Sequence, residues 1–296
     1  MQKTRTVIDC HTHCFPESVQ TNPREWAKAR GEPHWANLVA PLDRPTIQDW
    51  STPATMLRHM DQAGVQQAVL LGWYWQNEST CRWHNAEIAK WVAHAPDRFI
   101  GFATIYPNKN SFSQLHQAKE LGLRGVGELH IGVQDLNVRS EGWVQLAEFC
   151  TQNNWPINLH VTEAAGKQPP HSVPTPLKEI CDLAASAPQL KIILAHWGGG
   201  LHRVETDPKL QNILKNVYYD CSASPLLYDS TIFKQILQSV GLKKILFGSD
   251  YPLRSLPRIQ KNADFTTYLN YIREQTKLTS SEFNALTRNN FLRLLK

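Results

Sequence analysis

The sequence predicts an α/β fold: a (β/α)8 TIM barrel with a long insertion after strand 1. Three observations lead there. Short, near-continuous apolar runs recur along the chain, as expected of parallel strands covered on both faces. Amphipathic stretches with helix-start and helix-stop residues lie between them. After the first interval, the runs begin roughly 25 to 35 residues apart, the length of one βα unit.

The runs fall near residues 5–10 (Arg-Thr-Val-Ile-Asp-Cys), 66–71 (Gln-Gln-Ala-Val-Leu-Leu), 98–105 (Arg-Phe-Ile-Gly-Phe-Ala-Thr-Ile) and 123–128 (Leu-Arg-Gly-Val-Gly-Glu). Four more lie near 156–161, 191–196, 216–221 and 244–249. Between the first and second, a helix opens at Thr52-Pro53, with proline in its first turn, and closes at Gly64. Gly142 to Asn153 and Pro176 to Ala187 read as further helices. Thr279-Ser280-Ser281-Glu282 is a capping-box pattern before a last amphipathic helix. Strict alternation of strand and helix implies parallel strands. The first interval is longer, and its residues 16–53 carry six prolines and three tryptophans. They read as an irregular insertion packed as a lid over the barrel mouth. No linker or internal repeat divides the chain, so 1–296 reads as one domain.

Composition excludes several classes. Hydrophobic residues make up 42% and charged residues 19%, the opposite of a disordered chain. No apolar run approaches the ~20 residues of a membrane span. The N-terminal apolar stretch is too short for a signal-peptide core and is broken by Asp9, so a cytoplasmic location is expected. The six cysteines form no Cys-x-x-Cys pair, which argues against a zinc ribbon or disulfide framework. The net charge, 31 − 26 = +5, is diffuse and outlines no nucleic-acid surface. The expected partner is a small-molecule substrate, and a homo-oligomer is compatible with that reading.

The chemistry gathers at the strand ends. His11 and His13 lie two apart in extended backbone and so point the same way. Glu128, His160, His196 and Asp250 end the fourth, fifth, sixth and eighth predicted strands. In a closed barrel these ends meet at one mouth, the catalytic face. Six metal-competent side chains there would be a costly unpaired cluster without a cation. Imidazole and carboxylate suit zinc first, and also manganese, iron or nickel. A cation with an open position lowers the pKa of its water and polarises a carbonyl. Asp250 can then move a proton, and His196 can orient water or steady a developing oxyanion. Trp73-Tyr74-Trp75 and Tyr106 follow the second and third strands and offer a flat aromatic wall. Glu163 lies on the same face, as does Arg254, which can grip a substrate carboxylate. His130 shares the direction of Glu128, whereas His34 and His84 have no comparable setting.

The set His11-x-His13, His160, His196 and Asp250 resembles the amidohydrolase superfamily of metal-dependent barrels. His196-Trp197-Gly198-Gly199-Gly200, Leu246-Phe247-Gly248-Ser249-Asp250-Tyr251-Pro252 and Asn289-Asn290-Phe291 are similar to the branch containing aminocarboxymuconate semialdehyde decarboxylase. The resemblance implies His11, His13, His160 and Asp250 as metal ligands, with Asp250 also accepting a proton and His196 acting beside the metal. Where binuclear members carry a carboxylated lysine, this chain has Glu128. A glutamate can bridge two metals, so the implied count is one ion or two. The first functional expectation is a metal-dependent hydrolase of a small cyclic amide, lactone or ester. The alternative is a lyase, a decarboxylase or hydratase of a conjugated or aromatic carboxylic acid.

Overall fold

The computed structural model describes residues 6–163 and 170–296. Arg5, where the first predicted strand begins, lies outside the described residues. Eight strands follow in order: β1 Val7–His13, β2 Val65–Leu71, β3 Phe99–Gly101, β4 Val126–Leu129, β5 Ile157–Leu159, β6 Ile192–Leu194, β7 Val217–Asp220 and β8 Ile245–Leu246. Each coincides with one predicted run. All pairings are parallel, in the order β1-β2-β3 and β4-β5-β6-β7-β8. Backbone bonds join the two groups at both seams. Ala103 N donates to Gly125 O at 2.8 Å, and Gly127 N to Ala103 O at 2.8 Å. Cys10 N donates to Phe247 O at 2.8 Å, and Asp250 N to His11 O at 2.9 Å. The strands therefore close into a ring.

Between the first two strands lie α1 Glu17–Gln20, α2 Pro23–Arg30, α3 Pro33–Val39 and α4 Pro53–Ala63. Then come α5 Glu78–His94, α6 Ser111–Glu120, α7 Glu141–Gln152 and α8 Leu177–Ser186. The remainder are α9 Pro208–Ile213, α10 Ser224–Leu227, α11 Ile232–Val240, α12 Thr266–Gln275, α13 Ser280–Asn284 and α14 Asn290–Leu294. Local chemistry sets the ends. Thr52 caps α4 by accepting from Thr55 N, and Gly64 closes it in a left-handed conformation at φ 78°. The predicted capping box of Thr279 and Glu282 is present at α13. None of the helices described is long and apolar enough to cross a membrane.

Residues 16–53 depart from the expectation of irregularity. Three short helices occupy residues 17–39, and prolines start two of them at the first helical turn. Proline there removes only an N–H that the helix would leave unpaired, so the prolines punctuate helices rather than forbid them. This segment packs through its own apolar cluster. Phe15, Val19, Ala27, Trp35 and Val39 meet Trp75 and Cys81, with Trp26, Trp50, Trp73 and Trp83 against them. Glu32, buried, ties it to the β2–α5 loop by accepting from Gln76 N at 2.8 Å and Asn77 N at 3.2 Å.

Candidate metal centre

All six predicted metal-competent side chains converge at the mouth. His11 and His13 come from the end of β1, where register slips between Asp9 and Thr12. Gly248 opposes them: a Cβ there would lie 2.6 Å from that of His11, so only glycine lets the end of β8 approach. Two groups of ligand atoms form, His11–His13–Asp250 and Glu128–His160–His196, each within 4.8 Å among themselves. Glu128 links them. Its Oε1 lies 3.4 Å from His11 Nε2 and 3.1 Å from His160 Nδ1, and its Oε2 lies 3.5 Å from His13 Nε2. Asp250 Oδ1 lies 3.4 Å from His13 Nε2 and 3.8 Å from His11 Nε2. His196 Nε2 lies 3.2 Å from His160 Nδ1.

The hydrogen bonds behind these groups set the imidazole tautomers. His11 Nδ1 donates to Asp220 Oδ2 at 2.9 Å, His13 Nδ1 to Leu71 O at 3.3 Å, and His196 Nδ1 to Ser222 O at 3.0 Å. Each acceptor can only accept, so each Nδ1 carries hydrogen and each Nε2 keeps its lone pair for the mouth. His11 Nε2 is buried with no hydrogen-bond partner. That orphaned atom, with carboxylate oxygens of Glu128 and Asp250 at 3.4 and 3.8 Å, fits a divalent cation.

Electrostatics agree. Burial alone would push His11 down, but Asp220, Glu128 and Asp250 outweigh it and hold it up at about 10. A cation on Nε2 takes the place of that proton. Burial would raise Glu128, yet His160 and His11 bring it to about 2. Asp250 is likewise held below the usual carboxylate range, against burial, by the His13 hydrogen bond and the charge of His11. Burial and then His160 lower His196.

Asp220, at the end of β7, was not singled out by the sequence reading. Besides holding His11, it accepts from Asn158 Nδ2 at 3.2 Å, Ser222 Oγ at 2.5 Å and His196 N at 3.2 Å. It thereby couples the two ligand groups from behind. The available signal was a carboxylate ending a predicted strand. Asp9 helps from beneath, accepting from His11 N at 3.0 Å and Ser249 N at 3.1 Å.

Above the cluster lies a cavity of about 280 Å³. Trp73 and Glu163 line it; Glu163 accepts from Tyr228 Oη at 2.5 Å and Arg203 at 3.0 Å. Tyr106 and Arg254 are not among its lining residues. Tyr106 packs into the aromatic cluster instead, and the Arg254 guanidinium donates to Thr46 O at 2.7 Å. Among the described residues, the cationic side chain lining the cavity is Arg44, whose Nε is buried without a partner. His34, on α3, also lines it, lowered to about 4 by burial and His160. His130 faces the same space, but both its nitrogens are engaged. Gly132 N donates to Nδ1 at 3.1 Å, and Nε2 donates to Val173 O at 3.1 Å. It is a neutral wall residue rather than a ligand.

A parallel barrel whose strand ends gather metal-competent histidines and carboxylates around a cavity defines a class of metal-dependent barrel enzymes. The chain belongs to the amidohydrolase family: residues 8–296 match its Amidohydro_2 model. The 2-amino-3-carboxymuconate-6-semialdehyde decarboxylase of Dictyostelium discoideum is 25% identical over 199 residues, covering 57% of this chain and 55% of that protein. The match thus spans about half the length of that curated relative. The structure of 5-carboxyvanillate decarboxylase from Sphingomonas paucimobilis is similar in fold, with TM-score 0.72, 14% identity and 99% of each chain covered. So is 5-carboxyvanillate decarboxylase from Novosphingobium aromaticivorans, at TM-score 0.70 and 17% identity, covering 98% of this chain and 95% of that one. The latter was solved with manganese and 4-hydroxy-3-methoxy-5-nitrobenzoic acid.

Proposed function

We propose that this protein is a divalent-metal-dependent decarboxylase of an aromatic or conjugated carboxylic acid. The observation that carries the reading is the cavity itself. Its floor is the metal-competent cluster, of which His13, Glu128, His160, His196 and Asp250 line the space and His11 is buried beside them; its wall is Trp73 and Tyr74, and its roof Arg44. A space of about 280 Å³ suits one substituted ring. The three decarboxylases above support the same chemistry, and one of them holds manganese with an aromatic acid. They support the lyase alternative over the hydrolase reading that the sequence placed first.

His11, His13, Glu128, His160, His196 and Asp250 are the residues that would hold the cation, manganese or zinc, as one ion or two. Bound there, it would draw electron density from a substrate oxygen and so favour negative charge on the ring. Arg44 meets the anionic substrate, and Trp73 and Tyr74 hold its ring flat. The ring carbon that bears the carboxylate first takes one proton, which Asp250 passes on from solvent, while an oxygen substituent feeds electrons into the ring. The bond between that carbon and the carboxylate then breaks; its electron pair restores the ring and returns to the oxygen, and carbon dioxide leaves. The 16–53 segment serves as a lid that keeps bulk water from the ring.

The test uses carboxyl-labelled 2,6-dihydroxybenzoate and 2-hydroxybenzoate with manganese-loaded protein. The reading predicts trapped labelled carbon dioxide and a phenolic product. Hydrolytic opening of a lactone, with no labelled carbon dioxide from any aromatic acid, would restore the hydrolase reading.

A further inference from the structure

Tyr74 follows β2 and is packed on every side. Its ring lies 4.4 Å from Trp73, 4.9 Å from His160, 5.0 Å from His130 and 5.7 Å from His34, centroid to centroid. The residue is 1% exposed and lines the cavity. Yet among the described residues its hydroxyl has no hydrogen-bond partner, although Glu128 and Asp250 line the same cavity. Buried phenols ordinarily find an acceptor. A donor fixed by four aromatic neighbours and left without an acceptor is a contact waiting for a ligand oxygen.

We propose that Tyr74 is a specificity-determining residue whose Oη–H donates to a ring oxygen ortho to the departing carboxylate. The assignment rests on the decarboxylase reading above. Once the ring carbon is protonated, the electron pair of the breaking bond flows through the ring onto an ortho oxygen as carbon dioxide leaves, so a donor there strengthens in the transition state. A donor on the carboxylate would do the reverse, because charge leaves that group. Tyr74 thus selects ortho-hydroxy acids over acids without the hydroxyl. His130 cannot substitute, since backbone groups occupy both its nitrogens.

The experiment is calorimetric binding of 2-hydroxybenzoate and benzoate to manganese-loaded wild type and Tyr74→Phe. Wild type binds 2-hydroxybenzoate more tightly. The variant, with packing kept and one oxygen removed, weakens 2-hydroxybenzoate about three- to tenfold and leaves benzoate unchanged. Metal content is measured alongside and stays the same. Equal wild-type affinities, an unchanged ratio in the variant, equal weakening of both acids or loss of metal would each overturn the assignment. If the variant does not fold, equal wild-type affinities for the two acids still overturn the assignment. Failure of the decarboxylase reading shows separately, as no carbon dioxide from either acid while the binding ratio is still measured.

Discussion

The floor and the roof of the cavity are built by different means. The floor is six side chains at strand ends, oriented by hydrogen bonds from behind: Asp220 on His11, Leu71 O on His13 and Ser222 O on His196. The roof is residues 16–53, held mainly by aromatic packing and by the carboxylate of Glu32. Polar orientation places atoms for chemistry, where small displacements cost large factors. Apolar packing places a surface and tolerates more. Disturbing the floor should therefore change the reaction or the metal, whereas disturbing the roof should change stability or substrate affinity.

The largest expected effect is on the floor. Asp250→Asn should lower kcat about 10²–10⁴-fold with the melting temperature little changed, measured by steady-state kinetics and thermal unfolding. Retained turnover would remove Asp250 from the proton path.

Next comes the anchor of the roof. His84, on α5, accepts from Trp75 Nε1 at 3.0 Å and donates from Nε2 to Cys14 O at 2.8 Å, so it is built into the fold as neutral imidazole. Burial lowers it to about 4 from 6.5. The unfolded chain then binds more protons than the folded one between those values, so stability is complete above 6.5 and is lost as pH falls towards 4. The full effect is about 3 kcal/mol. Thermal unfolding of wild type and His84→Gln should converge as pH drops through that window. A constant difference would show that His84 does not carry the acid sensitivity.

Asp220→Asn should weaken metal affinity about 10–100-fold without removing a proposed ligand, read by competition with a chelator. An unchanged affinity would mean that Asp220 serves packing alone. Smallest is Arg44→Met, which should raise KM about tenfold and leave kcat within a small factor. A fall in kcat with KM unchanged would place Arg44 in the chemistry rather than in the roof.

The same division explains what the sequence revealed. Side chains at the ends of buried strands have one destination in a closed barrel, so His11, His13, Glu128, His160, His196 and Asp250 could be gathered from pattern alone. Asp220 escaped notice because it acts through His11 and His196 rather than facing the cavity. The roof has no period to read. Arg44 and His34 sit in a proline-rich stretch, where neither strand nor helix spacing says which way a side chain turns. Arg254 and Tyr106 failed as lining residues for a related reason: a loop position after a strand fixes the end of the barrel, not the direction. Arg254 turns to Thr46 O and Tyr106 into the aromatic cluster.

The central claim is that the six floor side chains form one site for a divalent cation. Elemental analysis of wild type and His11→Ala, each loaded with manganese and then dialysed, tests it most directly. The account predicts stoichiometric manganese in wild type, one ion or two per chain, and its loss in a variant that still folds. A wild-type chain that retains no metal, or a variant that retains all of it, would contradict the claim.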